Sequence, residues 1–411
     1  MSQQSLTLKL SSELNLISDV TPSQRVLEVT IGAPGGGQRN ERQPLNLALV
    51  LDRSGSMSGT KLAYVRRAAA HVLDQLDPQD RAALVVYDDH VDLLAPSTSM
   101  NADARTDLKN CVNQVKPGGM TNLSGGWLQG CQEVAMHENT ATLNRVLLLT
   151  DGLANQGITD SEILFRHARE LAARSVSTST FGVGHGFNEH LLEGIANEGG
   201  GNFHFISNPE EIPAIFHREF TEMSTATARA VRLNFELPPQ VDAQVLANWR
   251  TERTENSLVV HVGDLFAGRT QHIYIRLLLP PKQSDDDIRI QAHVIGRGEG
   301  EQTLEARAVF SYQYAKAEVV RMAAPLTDVL ARFARVEMAD VTTQALKLER
   351  AGETGKASHL VAAAMAQNER YMPEEDVALY RKVASEMQEG MDEPARKDRH
   401  NQAYLRKRGR E

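Results

Sequence analysis

The chain has 411 residues, 41% of them hydrophobic and 5% aromatic, with 44 Lys+Arg against 53 Asp+Glu and a formal net charge of −9. That length exceeds what one ordinary core holds, so two or three domains are expected. The acidic balance argues against a general nucleic-acid or anionic-membrane binder. No uninterrupted apolar run approaches the ~20 residues needed to cross a bilayer.

Met1–Thr7 shows no basic region followed by an apolar stretch, so no signal peptide is visible and the expected location is cytoplasmic. Leu6–Leu10 and Arg25–Ile31 alternate like strands but have too few neighbours to form a core of their own. The Gly-rich segment Gly32–Gly37 follows. Residues 44 to 222 then alternate strand and helix. Apolar strand cores lie at Leu45–Leu51, Ala82–Tyr87, Val146–Leu149 and Val176–Val183, with shorter candidates at Val91–Leu94 and Phe203–Ile206. The amphipathic segments Lys61–Leu76, Ala104–Val115, Ser124–His137, Ser161–Arg174, Glu189–Ala196 and Pro209–Met223 are predicted helices. Continuous apolar strands separated by helices imply a mostly parallel sheet covered on both faces, which binds ligands outside the carboxyl ends of its strands. Cys111 and Cys131, the only cysteines, fall in predicted helices, fit no metal spacing and read as reduced thiols.

Three segments at those carboxyl ends bear oxygen. Asp52-Arg53-Ser54-Gly55-Ser56 directly follows Leu45–Leu51 and delivers one carboxylate and two hydroxyls at alternate positions. Gly118-Gly119-Met120-Thr121-Asn122 and Thr150-Asp151-Gly152 supply another hydroxyl and another carboxylate. Hard oxygen ligands suit Mg²⁺ or Mn²⁺ rather than zinc or copper.

With Asp52, Ser54, Ser56, Thr121 and Asp151 in this order, residues 40 to 225 resemble the von Willebrand factor A (VWA) domains. Those domains carry a metal-ion-dependent adhesion site (MIDAS), a DxSxS motif completed by a distant Thr and a distant Asp. Leu51 before the motif, Met57 after it and Thr150-Asp151-Gly152 match as well. The resemblance implies that Ser54 and Ser56 bind the ion directly. It implies that Thr121, Asp52 and Asp151 change between direct and water-mediated contact, and that a partner's Asp or Glu completes the shell. It also implies a movable last helix, Pro209–Met223, coupled to the metal loops. The alternative for the same residues is a set of loop-stabilising hydrogen bonds without a metal.

Residues 228 to 315 alternate as strands between turn-rich breaks, as an antiparallel sandwich does. Residues 1–33 are expected to pair with them, so that the 40–225 unit is inserted into a discontinuous sandwich, with Gly32–Gly37 and the segment after Thr225 as hinges. Residues 316–390 read as helical, with apolar spacing in Ala331–Ala345, Lys356–Asn368 and Glu375–Gln388. The tail, 391–411, holds seven Lys/Arg against two acidic residues from Arg396 onward and is expected to be a disordered basic segment, the one part with a route to nucleic acid. The expected architecture is α/β: a doubly wound, mostly parallel sheet inserted into an antiparallel β-sandwich, plus a C-terminal helical region.

Other chemistry fits poorly. Gly182-Val183-Gly184-His185-Gly186 misplaces the third glycine of a dinucleotide fingerprint, and Gly55–Gly59 has Met57 where a nucleophile elbow needs serine. His185, His190 and His204 have spacings that propose no zinc site, and Gly199-Gly200-Gly201 reads as a tight turn. One ion without a dedicated base disfavours a hydrolase. The expected function is a non-enzymatic, Mg²⁺-dependent protein-interaction module that captures a partner's acidic side chain. The alternatives are a scaffold acting through the helical region with a structural metal, or a metal-dependent hydrolase. The layout loosely resembles inter-alpha-trypsin-inhibitor heavy chains and bacterial relatives.

Overall fold

The computed structural model describes residues 5–35, 43–139, 142–282, 287–298 and 302–409. Three strands open the chain: β1 (Thr7–Ser12), β2 (Leu16–Ser18) and β3 (Ser23–Gly32). Gly36 and Gly37 of the expected first hinge lie outside the described residues.

The chain then runs β4 (Leu45–Asp52), α1 (Thr60–Gln75), β5 (Arg81–Tyr87), β6 (Val91–Ser99), α2 (Ala102–Gln114) and α3 (Leu123–Ala135). It continues through β7 (Leu143–Thr150), α4 (Ser161–Ala173), β8 (Val176–Val183), α5 (Glu189–Glu198), β9 (Gly200–Ile206) and α6 (Ile212–Ser224). These strands form a six-stranded sheet in the order β6-β5-β4-β7-β8-β9. β4 and β7 are buried at every position because helices cover both faces, which is why they read as unbroken apolar runs. Only β6 runs antiparallel, on an exposed edge. Asn101, Asn122, Asp160 and Asn188 each cap a helix by accepting backbone N–H bonds, fixing where α2, α3, α4 and α5 begin. From β4 the chain moves to β5 on one side and later returns to β7 on the other. The crevice between the carboxyl ends of β4 and β7 is therefore the topological switch point.

Thr225 leads from α6 into the second half of a two-sheet sandwich: β10 (Ala226–Glu236), β11 (Asp242–Val245), β12 (Thr251–Arg253), β13 (Ser257–Phe266), β14 (Thr270–Leu279), β15 (Ile288–Arg297) and β16 (Thr303–Ala315). One sheet has the order β1-β3-β14-β11 and the other β12-β13-β10-β15-β16-β2. β3 lies between β1 and β14, antiparallel to both, with Ser23 opposite Leu279 and Gly32 opposite Thr270. The N-terminal strands, β3 inside one sheet and β1 and β2 at sheet edges, are thus parts of a sandwich whose other strands follow the parallel sheet in sequence. Leu27, Val29 and Ile31 fill the same core as Leu233, Ile275 and Ile290. A salt bridge adds to this, the buried Glu28 accepting two 2.7 Å bonds from the half-exposed Arg332 and one of 2.9 Å from the Tyr274 hydroxyl.

The C-terminal helices are α7 (Ala317–Met322), α8 (Thr327–Arg350), α9 (Thr354–Asn368), α10 (Glu374–Glu389) and α11 (Glu393–Arg408). Val329 and Phe333 of α8 enter the sandwich core, while Ala345, Val361 and Tyr380 share a separate helical core. α11 corrects the expectation of a disordered tail, although Arg410 and Glu411 lie outside the described residues. Its cations have partners that a local charge count does not reveal. Lys397 donates to Glu189 at 2.8 Å and His400 lies 2.6 Å from Glu193, both acids on α5. Tyr404 packs into the core of the parallel-sheet unit, and its hydroxyl accepts the Phe203 N–H at 3.0 Å.

Candidate metal site

The residues singled out by type converge at the switch point. Asp52 ends β4, is fully buried, and accepts the Ser54 N–H at 2.7 Å and the Thr150 hydroxyl at 2.5 Å. The Ser54 and Ser56 hydroxyls lie 3.1 Å apart, and Ser56 donates to Asp151 at 2.7 Å. Thr121 comes from the loop between α2 and α3, two residues before α3 begins. A Cβ placed on Gly152 would lie 3.3 Å from its hydroxyl and 3.8 Å from that of Ser56, so glycine keeps those two oxygens facing open space. Ser56 is exposed while Asp52, Ser54, Thr121 and Asp151 are buried, so the cluster opens to solvent on one side.

The electrostatics favour a cation. Burial, helped by the nearby Asp151 charge, pushes the Asp52 carboxyl up to about 6 from its ordinary 3.8. Two carboxylates held this close in a dry site want compensating positive charge. Lys61, on the first turn of α1, supplies part of it through an ion pair with Asp151. The all-oxygen donor set and the absence of thiol or imidazole from it fit a hard divalent ion.

Residues that carry no chemistry in the motif hold the three loops together. Arg53 bonds Asp88 at 3.1 Å and Asp92 at 2.6 Å, and its carbonyl accepts the Gly118 N–H at 2.7 Å. Gly55 N–H donates to Gly119 O at 2.9 Å and Asn122 N–H to Asp88 O at 2.7 Å. Asn155 accepts from the Thr121 N–H at 3.1 Å, tying the second loop to the third. Burial alone would raise the Asp88 carboxyl, but the His90 N–H and the Arg53 guanidinium bring it below its ordinary value. Gly118 is required here because a Cβ would collide with the Asp88 carboxylate. Sequence reading missed Lys61, Asp88 and Asn155, and picked out Thr150 without its bond to Asp52.

Among the described residues, two further clusters have metal-ligating atoms within 4.8 Å of one another. Asp88, Asp89 and His90 stand beside the loops just described, with Asp88 already engaged by Arg53. Glu189, His190 and His400 meet where α5 packs on α11, joining residues that local spacing could not connect. There Glu189 also pairs with Lys397 and Arg350, so ammonium and guanidinium groups already supply its counter-charge. Burial first, and the adjacent His400 second, hold the His190 imidazole down at about 4. His204 stacks on Phe181 and bonds Glu219 at 2.9 Å, which makes it a satisfied core histidine. Cys131 is buried in α3 and Cys111 half-buried in α2, both free thiols.

Comparison with known proteins agrees with this fold. The model for the von Willebrand factor type A domain matches residues 46–218. An uncharacterized Synechocystis sp. protein is 28% identical over 298 residues, 70% of this chain and 68% of its own. The uncharacterized protein YfbK of Escherichia coli is 28% identical over 61% of this chain, but that covers only 44% of YfbK. Human inter-alpha-trypsin inhibitor heavy chain H4 is 27% identical over 50% of this chain and 22% of its own length. Among solved structures, a von Willebrand factor type A protein from Catenulispora acidiphila superposes with TM-score 0.70 at 15% identity over 89% of both chains. The ArnB paralog VWA2 from Sulfolobus acidocaldarius gives 0.66 at 16% over 98% of both. These structures share the fold across nearly the whole length. Residues 46–218 thus form a VWA domain with candidate metal-binding clusters nearby, and domains of this type are characteristically non-catalytic. No helix among the described residues is long and apolar enough to cross a membrane.

Proposed function

We propose that Asp52, Ser54, Ser56, Thr121 and Asp151 hold a divalent cation, Mg²⁺ or Mn²⁺, and that the protein binds an acidic side chain of a partner protein there. The observation that carries this reading is the convergence of five oxygen-bearing side chains from three loops, with the two carboxylates buried together and Ser56 open to solvent. When bound, Mg²⁺ offers an exchangeable coordination position to a carboxylate. Ser54 and Ser56 present neutral hydroxyls and Lys61 pairs with Asp151, so the two carboxylates do not use up all the positive charge and some is left for an incoming anion. Asp52 stays fixed by the Ser54 N–H and the Thr150 hydroxyl. Met120 and Leu153, 52% and 57% exposed, stand on the loops around the opening and give a partner apolar surface beside the carboxylate.

Titration calorimetry of the full chain with MgCl₂ and MnCl₂ tests the reading. One saturable site, lost in Asp52→Asn and weakened in Thr121→Ala, is expected. Unchanged binding in both variants would refute it. The scaffold alternative rests on a different observation: Val319, Met322 and Leu326, at and just beyond α7, are more than half exposed. A partner retained by Asp52→Asn but lost when Met322 and Leu326 become Ser would favour it.

A further inference from the structure

A cavity of about 520 Å³ lies at the opposite edge of the parallel sheet, where the VWA unit, the sandwich and the last turn of α11 meet. Its floor is the start of β7 and β8, its wall is β10 and β13, and its rim carries Trp249 and Arg408. Gly200 and Gly263 let the two walls approach, a Cβ on Gly263 lying 3.7 Å from the Gly200 carbonyl. Small-molecule sites fall in this size range and favour such junctions between domains.

The charge of the lining contrasts with that of the molecule. In a chain of net charge −9, seven arginines and only three carboxylates border the cavity. Those carboxylates are already engaged: Asp264 by Arg145 at 2.7 Å, Glu198 by Arg169 at 2.8 Å and Glu252 by His261 at 2.8 Å. Arg145 is 1% exposed, yet its Nε has no acceptor, so a fully buried guanidinium keeps a spare donor on the cavity floor. Asp264 already balances the Arg145 charge, but a buried donor left unmet is costly, and an acceptor oxygen there would satisfy it. Arg232, exposed on β10, has no carboxylate at ion-pair distance among the described residues. Arg408 lies 3.9 Å over the Trp249 ring, placing a guanidinium on an indole face beside Leu265 and Ile295.

We propose that this cavity is a binding site for a small organic phosphate. Arg145 and Arg232 take the phosphate oxygens, a geometry the guanidinium fork suits, and the indole side takes the organic body. Arg145 stands near the start of β7 and Asp151 just beyond its end. Six residues at ~3.3 Å separate the two sites by roughly 20 Å along one strand. The ligand is therefore recognised away from the candidate metal loops and needs no divalent ion.

The test is calorimetry and tryptophan fluorescence of the full chain in EDTA, with adenosine triphosphate and inorganic pyrophosphate as probes and citrate as a charged control. Saturable phosphate binding is expected, stronger than citrate binding, with a fluorescence change that Trp249→Phe abolishes. Arg232→Gln, which removes an exposed side chain, should weaken binding roughly tenfold, the loss of one charge-assisted contact. Arg145→Lys should weaken it further while circular dichroism stays unchanged. Equal or tighter citrate binding, affinity unchanged in Arg232→Gln, or no saturation by either phosphate probe would overturn the proposal. Asp52→Asn should bind both probes normally, which separates this result from the fate of the metal site.

Discussion

The docking of α11 makes a quantitative demand on Tyr404. Its side chain is 2% exposed, meets Phe203 edge-on at 5.4 Å between centroids, and accepts the Phe203 N–H at 3.0 Å. Tyr404→Phe keeps the ring and leaves a buried N–H without its acceptor, which costs about 1–3 kcal/mol. Tyr404→Ala also empties a core position, and large aromatic truncations cost about 3–5 kcal/mol. Urea unfolding followed by the circular dichroism of the whole chain measures both, with midpoint shifts at unchanged slope. Amide exchange should show α11 protected in the parent chain and exposed in Tyr404→Ala. If both variants fall within about 0.5 kcal/mol of the parent, as surface substitutions do, and α11 exchanges freely, the helix is not docked. The reading of the last twenty residues as a solvated basic tail would then stand.

Three other outcomes follow from the same geometry. Because burial raises Asp52 to about 6, the cation-free protein should lose stability as pH rises from 3.8 through 6. Asp52→Asn should therefore stabilise the EDTA-treated protein at neutral pH, by up to about 3 kcal/mol, while abolishing the rise in Tm that Mg²⁺ produces in the parent. Gly118→Ala should lower Mg²⁺ affinity severalfold by displacing the Asp88 carboxylate that braces the loops; unchanged calorimetry would show the brace to be irrelevant. Burial alone would raise the Glu28 carboxyl, but bonds from Arg332, His272 and Tyr274 hold it at about 2. Its stabilising contribution is present above pH 4.5 and is lost as pH falls through 2, by about 1–2 kcal/mol once the half-exposed Arg332 is discounted. Glu28→Gln should flatten that part of an acid-denaturation profile.

The parallel sheet was legible because β4 and β7 are buried on both faces, which leaves no polar alternation to confuse with a loop or a surface helix. Asp52, Ser54, Ser56 and Asp151 were legible because each ends or follows such a strand within a few positions, whereas Thr121, between α2 and α3, was legible only through its place in the motif. Pairing of β3 with β14 could be expected only by elimination, since the two are separated by more than two hundred residues. The braces Asp88 and Asn155 could not be read, because an Asp or Asn in a loop has no periodicity and its partners come from other loops. α11 was misread for a related reason. Lys397, His400 and Lys407 look like solvated charge until α5 brings Glu189 and Glu193 beneath them. Charge patterning along a sequence shows sign and density but not burial.

The central claim is that the oxygen cluster at the carboxyl edge of β4 and β7 is a cation-dependent partner site. The most direct measurement uses the full chain as bait in lysate of its source organism, in Mg²⁺, in EDTA, and as Asp52→Ala in Mg²⁺. The account predicts a protein retained in the first condition and absent from the other two, and its binding should be competed by a short acidic peptide. A partner retained equally in all three would contradict it and place the interaction surface elsewhere on the molecule.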